Sequence, residues 1–210
     1  MAEERFDIYD EQLNPLGTAS RSETHALGYW HRSFHCWLTR REGNRQYVRF
    51  QLRQAGKDTY PGCYDITAAG HLTAGETMQD AVREIEEELG VAARFEDLIP
   101  LGEARKEMSG EVRGVPFIDR EVSDVFALVC SLPLDALKLQ FEEVAAVFEA
   151  DVEQMIRLFE GELAELICEG VELTAAGERS KVKRAVRAAE FVPRESSYYA
   201  LIMRALRDCT

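Results

Sequence analysis

Long apolar runs are missing from this chain; the longest, such as Phe126–Cys130, fall far short of a membrane crossing. The first residues lack a cationic start followed by an apolar core, so no secretory or transit signal is expected and the reading is cytoplasmic. Positive charge is also in deficit: 25 basic against 38 acidic residues leave a net charge of −13. That balance argues against nucleic acid and anionic membranes as partners, and a polyanionic ligand would need a metal cation as mediator. Closely spaced cysteines are absent. The five present (Cys36, Cys63, Cys130, Cys168, Cys209) are odd in number and scattered, which excludes a disulfide framework and a zinc cluster. No internal repeat or low-complexity linker interrupts the 210 residues. What remains, 46% hydrophobic and 30% charged, is the composition of a folded protein with a sizeable core.

Aromatic and β-branched stretches at 6–10, 33–40 and 47–53 read as strands, the last two joined by a hairpin at Gly43-Asn44. Further strands are expected at 65–70, 93–104, 120–130 and 145–149. From Asp151 onward the spacing predicts helices over 152–166, 178–191 and 195–209. In the last, Tyr198, Leu201, Ile202, Ala205 and Leu206 form a packing stripe that is a candidate cover for a site or a homodimer interface. Charge changes sign here. Residues 141–172 hold ten acidic side chains and one basic, residues 178–208 eight basic and four acidic, so the two blocks can pair with each other or across subunits.

The chemistry concentrates in residues 68–91. Thr77 followed by Asp80 resembles a capping box and Gly90 suits a left-handed stop, bracketing a helix over about 78–89. Met78, Ala81, Val82, Ile85 and Leu89 share one apolar face; Asp80, Glu84, Glu87 and Glu88 lie opposite. An acidic helix face is usually just solvated. This one crowds three carboxylates into a turn with no i+4 lysine to relieve them, and Arg83 suits orienting a carboxylate better than stabilising the helix. Clustered carboxylates are the ligands Mg²⁺ or Mn²⁺ prefers, and such an ion assists hydrolysis of a phosphoanhydride. Gly70 and Gly75 allow close approach of backbone to a substrate, while Lys57 and Arg53 are candidate phosphate contacts.

Gly70, Glu76 and the run Arg83–Val91 together resemble the signature box of the Nudix hydrolases, which cleave a nucleoside diphosphate linked to another moiety. The run from Arg83 to Val91 matches completely; the departure is six residues between Glu76 and Arg83 where the usual pattern has seven. The resemblance implies an α+β Nudix fold, an α/β/α sandwich with a mixed sheet and C-terminal helices. It implies Mg²⁺ or Mn²⁺ on Glu84, Glu87 and Glu88, with Arg83 orienting the cluster and Glu84 or a later acid as general base. Candidates for that acid are Glu121, Glu142 and Glu143. The expected division is an N-terminal extension over 1–27, the Nudix domain over 28–160 and a helical C-terminal extension over 161–210.

The surrounding sequence is also similar to isopentenyl-diphosphate isomerase. His25 and His31 precede a strand, His71 follows Gly70, and Glu121 lies on a later strand, positions similar to a metal site in that isomerase. Ala69 stands where the isomerase carries its catalytic cysteine, removing one partner of the proton chemistry. A lone histidine more often packs than ligates, so these three are read as structural or substrate-facing, and His35 as core. The sequence therefore points to a pyrophosphohydrolase of an isomerase-like branch acting on a small-molecule diphosphate. Isomerase-like activity and a non-catalytic ligand-binding protein are the alternatives. Trp30, Tyr60 and Tyr64 are candidate stacking residues for a base, or core aromatics.

Overall fold

The computed structural model describes residues 3–112, 114–174, 177–195 and 197–209. The described strands form one sheet whose main path runs β11-β10-β9-β4-β3-β1-β2, with β5 paired to β4, β6 and β8 paired to β3, and β7 paired to β8. In chain order they are β1 (Arg5–Tyr9), β2 (Pro15–Ser20), β3 (Trp30–Glu42), β4 (Arg45–Arg53), β5 (Tyr64–Asp65), β6 (Ala68–His71), β7 (Ile99–Val112), β8 (Val115–Val129), β9 (Val144–Asp151), β10 (Leu166–Leu173) and β11 (Arg179–Val186). The helices are α1 (Arg21–Leu27), α2 (Arg83–Leu89), α3 (Val152–Phe159) and α4 (Tyr198–Cys209). β8 runs parallel to β3 and antiparallel to β7, so the sheet is mixed.

Alternation along the central strands gives the sheet two apolar faces. One, with Trp37, Phe50, Phe148 and Ala150, packs against α3 and α4. The other, with Phe34, Cys36, Leu38 and Phe126, packs against Ala81, Val82, Ile85 and Leu89 of the α2 region. These three layers are the expected α/β/α arrangement. Among the described residues no helix is long and apolar enough to cross a membrane.

Two local expectations are corrected. The α-helix does not begin near 78: residues 80–82 form a 3-10 turn and α2 starts at Arg83, because the Asp80 carboxylate accepts from Thr77 N (2.8 Å) and Thr77 Oγ1 (2.7 Å), holding a tight turn there. Larger is the change at 178–191. The predicted helix is strand β11, paired residue for residue with β10, so the stretch 161–210 is no helical extension but a hairpin continuing the sheet, followed by α4. Neighbouring strands decide this. The acidic and basic blocks meet across the hairpin, with Lys183 to Glu169 at 2.6 Å and Arg184 to Glu172 at 2.7 Å. Gly170 leaves room for the Phe148 ring, whose Cδ1 would be 2.5 Å from a Cβ there. In α4 the buried face is Tyr198, Tyr199, Ile202, Met203 and Leu206, whereas Leu201 of the expected stripe is exposed.

Candidate active site

α2 packs beside β6 and carries the acidic cluster. Ile85 and Leu89 are fully buried against the sheet, which turns Glu84 and Glu88 toward β6. Gly70 is required for this approach: a Cβ at that position would lie 2.4 Å from Glu84 Cδ. Arg83 organises the group. Its Nε and Nη2 donate to the two oxygens of Glu76 (2.9 and 3.1 Å), and its Nη1 donates to Glu84 Oε1 (2.5 Å) and Glu87 Oε2 (3.2 Å). The bidentate grip on Glu76, which also accepts from Thr73 N at 2.7 Å, is present despite the shortened spacing. Glu88 is buried and its carboxyl is pushed up to about 8, by burial first and then by the neighbouring Glu84 carboxylate; Gln51 Nε2 donates to it at 3.3 Å. Burial also raises Glu84, against the pull of Arg83, while Glu87 is exposed. One arginine among these carboxylates leaves excess negative charge that a divalent cation on oxygen donors would neutralise.

This cluster forms one wall of a cleft of about 840 Å³ that also exposes Arg53, Lys57, Gly70, Glu142 and Glu143. Arg53 Nη1 donates to Asp65 Oδ2 (3.2 Å) and Lys57 pairs with Glu143. Gly75 lies outside the lining of this cleft, its amide donated to Asp7 Oδ2 at 2.9 Å. Tyr60 lines the cleft with a positive φ of 48°, whereas Trp30 and Tyr64 are buried.

The opposite wall holds a second cluster. Register brings it together: His31 of β3 is opposite Glu121 of parallel β8, and Ser33 is opposite His71 of β6. Period-two alternation places Asp119 on the same face as Glu121, and α1 adds His25. Ligating atoms of His25, His31 and His71 lie within 4.8 Å of one another, as do those of His31, Asp119 and Glu121. The His31 ring is stacked on Phe6, and its Nδ1 meets Tyr29 O at 3.2 Å, so the proton belongs on Nδ1 and the Nε2 lone pair faces the cluster. Burial, then the nearby His71, pushes His31 down to about 4 and keeps it neutral. His31 Nε2 and Asp119 Oδ1 are buried without a hydrogen-bond partner, the mark of atoms shaped for a ligand. Imidazole and carboxylate donors together suit a transition metal. Lys106 Nζ, 2.6 Å from Asp119 Oδ2, supplies a resident counter-charge. Three histidines read singly as structural or substrate-facing therefore converge, and Asp119 joins them unforeseen; the acid-x-acid spacing of 119–121 on a strand was its only signal. His35 is core as expected, its Nδ1 3.0 Å from the Tyr198 hydroxyl.

Comparison with known proteins identifies the family. The description NUDIX domain matches residues 29–169. An uncharacterized Nudix hydrolase of Clostridium acetobutylicum is 35% identical over 208 residues, 99% of each chain. Nudix hydrolase 3 of Arabidopsis thaliana is 38% identical over 70% of this chain but only 19% of its own length. The isopentenyl-diphosphate Delta-isomerase of Salmonella heidelberg is 32% identical over 69% of this chain and 75% of its own. A crystal structure from Deinococcus radiodurans shares the fold, with a TM-score of 0.55 at 18% identity over 75% of this chain and 90% of that one. With the box, the three-layer fold and an end-to-end relative in agreement, the chain belongs to the Nudix hydrolases, pyrophosphohydrolases, in a branch similar to isopentenyl-diphosphate isomerase.

Proposed function

We propose that the protein is a Mg²⁺- or Mn²⁺-dependent cytoplasmic hydrolase that cleaves the phosphoanhydride bond of a nucleoside diphosphate linked to another moiety, or of a similar organic pyrophosphate. The observation that carries this reading is the crowding of Glu84, Glu87 and Glu88 around the single Arg83 at the edge of a cation-bearing cleft. These three carboxylates would hold the cation, which supplies Lewis acidity toward a phosphoryl oxygen and a lowered pKa for bound water. Arg83, clamped by Glu76, fixes the direction of Glu84 and Glu87. Glu84, its proton affinity raised mainly by burial, is the side chain suited to take a proton from the attacking water; Glu142 and Glu143 share the cleft. Arg53 and Lys57 lie where they can neutralise phosphate oxygens.

A second reading, isomerase-like activity, draws on the assembled cluster of His25, His31, His71, Asp119 and Glu121. Against it stands the lack of a thiol: Ala69 lines the cleft, Cys36 is buried in the core beneath, and no cysteine is among the described lining residues. We take the histidine cluster as a second metal centre of a hydrolase. The test is a hydrolysis screen with Mg²⁺ over nucleotide sugars, dinucleoside polyphosphates, nucleoside triphosphates and isopentenyl diphosphate, read by chromatographic separation of the phosphorylated products. Glu87→Gln, at an exposed position, should lower kcat by about 10²-fold or more with unchanged melting. Allylic product from isopentenyl diphosphate would favour the second reading, and neither product would leave a binding protein.

A further inference from the structure

Beyond the residues matched by the Nudix domain, the segment before α4 is built into the same cleft. Phe191 forms a parallel bridge with Tyr64 of β5, and Val192 N donates to Tyr64 O at 2.8 Å. The Tyr199 hydroxyl donates to Val192 O, also at 2.8 Å. These ties deliver Arg194 to the cleft floor, with its side chain only 8% exposed. Its Nη2 donates to Asp65 Oδ1 at 3.1 Å and the guanidinium lies over the Tyr198 ring, 5.1 Å from the centroid. Asp65 is also the partner of Arg53. One buried carboxylate, Asp65, thus serves two guanidinium groups, and Glu121 is the further carboxylate that bears on Arg194. Arg194 Nε is buried with no hydrogen-bond partner among the described residues.

Nearby acceptors are already committed. Glu121 receives His71 Nε2 at 3.1 Å with Lys106 at 3.8 Å, and His35 is engaged by Tyr198. A hydrocarbon group lying between Ala69 and Arg194, both of which line the cleft, would strip water from a charged group and offer it nothing. A carboxylate or phosphate would supply the missing acceptor. We infer that Arg194 is the specificity-determining residue of this cleft, receiving an anionic oxygen group carried by the moiety attached to the scissile diphosphate. The inference rests on the pyrophosphohydrolase reading and narrows its substrate class to diphosphates of anionic moieties.

Two ligand pairs that differ by one anionic group test it: UDP-glucuronate against UDP-glucose, and NADP⁺ against NAD⁺. Dissociation constants are measured calorimetrically with Ca²⁺, and hydrolysis separately with Mg²⁺. The wild type should favour the more anionic member of at least one pair by about tenfold or more. Arg194→Met should bring that ratio to within about twofold while changing affinity for the less anionic member little. Arg194→Lys keeps the charge and the contact with Asp65 but not the planar fork, so it should fold and discriminate at an intermediate level. Equal preference in both wild-type pairs, or an equal loss for both members in either variant, overturns the inference and leaves Arg194 as an anchor of the C-terminal segment. Discrimination in binding with no Mg²⁺-dependent hydrolysis would sink the enzymatic reading alone; hydrolysis without discrimination would sink this inference alone.

Discussion

Replacing Gly70 by alanine should separate catalysis from folding. The new Cβ would lie 2.4 Å from Glu84 Cδ, 2.5 Å from Oε1 and 2.8 Å from Cγ, where ordinary contact begins at 3.4 Å. Glu84 must therefore retreat by on the order of 1 Å. It can, because the clash is with the end of a flexible side chain, and Gly70 occupies extended backbone in β6 that alanine adopts freely. Alanine also restricts the unfolded chain, contributing about 0.4–1 kcal/mol of stability that offsets part of the rearrangement. The fold should persist, while the carboxylate that Arg83 aims into the proposed metal site is displaced. A misplacement of about 1 Å at reacting groups can cost about 10²-fold in rate. The expected result for Gly70→Ala is a kcat lowered by about that factor and a raised Mg²⁺ requirement, with a melting temperature within a few degrees of wild type. Product formation as a function of Mg²⁺, alongside thermal melts, provides the measurement. Full activity at wild-type Mg²⁺ would refute the reasoning, since Glu84 would then have moved without consequence; so would a loss of activity that merely follows unfolding.

The two buried clusters carry further expectations. His35 is pushed down to about 3, by burial first and then by Arg194, from an ordinary value of 6.5. A depressed folded-state pKa means the unfolded chain binds the proton first. This contribution is therefore fully present above pH 6.5 and is lost as pH falls from there toward 3, by up to about 1.4 kcal/mol per pH unit. Urea titrations at pH 7, 6 and 5 should show His35→Gln losing less stability on acidification than wild type; parallel losses would show that another group governs the slope. At the histidine cluster, wild type should bind Co²⁺ with a ligand-field spectrum that His71→Ala or Asp119→Asn weakens by about tenfold or more in affinity. An identical spectrum and affinity in both variants would remove the second metal centre.

Local spacing carried the catalytic box. In residues 83–91, i+3 and i+4 spacing sets Ile85 and Leu89 apart from Glu84 and Glu87 before any tertiary partner is known, and Gly90 ends α2 in the left-handed conformation its position predicts; Glu88, expected opposite the apolar face, is instead buried beside Ile85 and Leu89. The β3–β4 hairpin at Gly43 was legible for the same reason. β11 was not. A stretch rich in Lys, Arg and Ala has good helical propensity, and only the pairing of its cations with the acids of β10 makes it a strand. The histidine cluster lay still further from local reading: His25, His31, His71, Asp119 and Glu121 are scattered over nearly a hundred positions. They meet because β3 is flanked by β6 and β8 in one register, and a shift by one residue would turn every one of those strand side chains to the other face. Arg194 is likewise an ordinary cation in the sequence; the bridge between Phe191 and Tyr64 is what makes it part of the cleft floor. Sequence alone determined the acidic helix because its geometry is set by neighbouring residues. Tertiary structure decided what surrounds that helix, because burial, charge compensation and strand register belong to the assembled sheet.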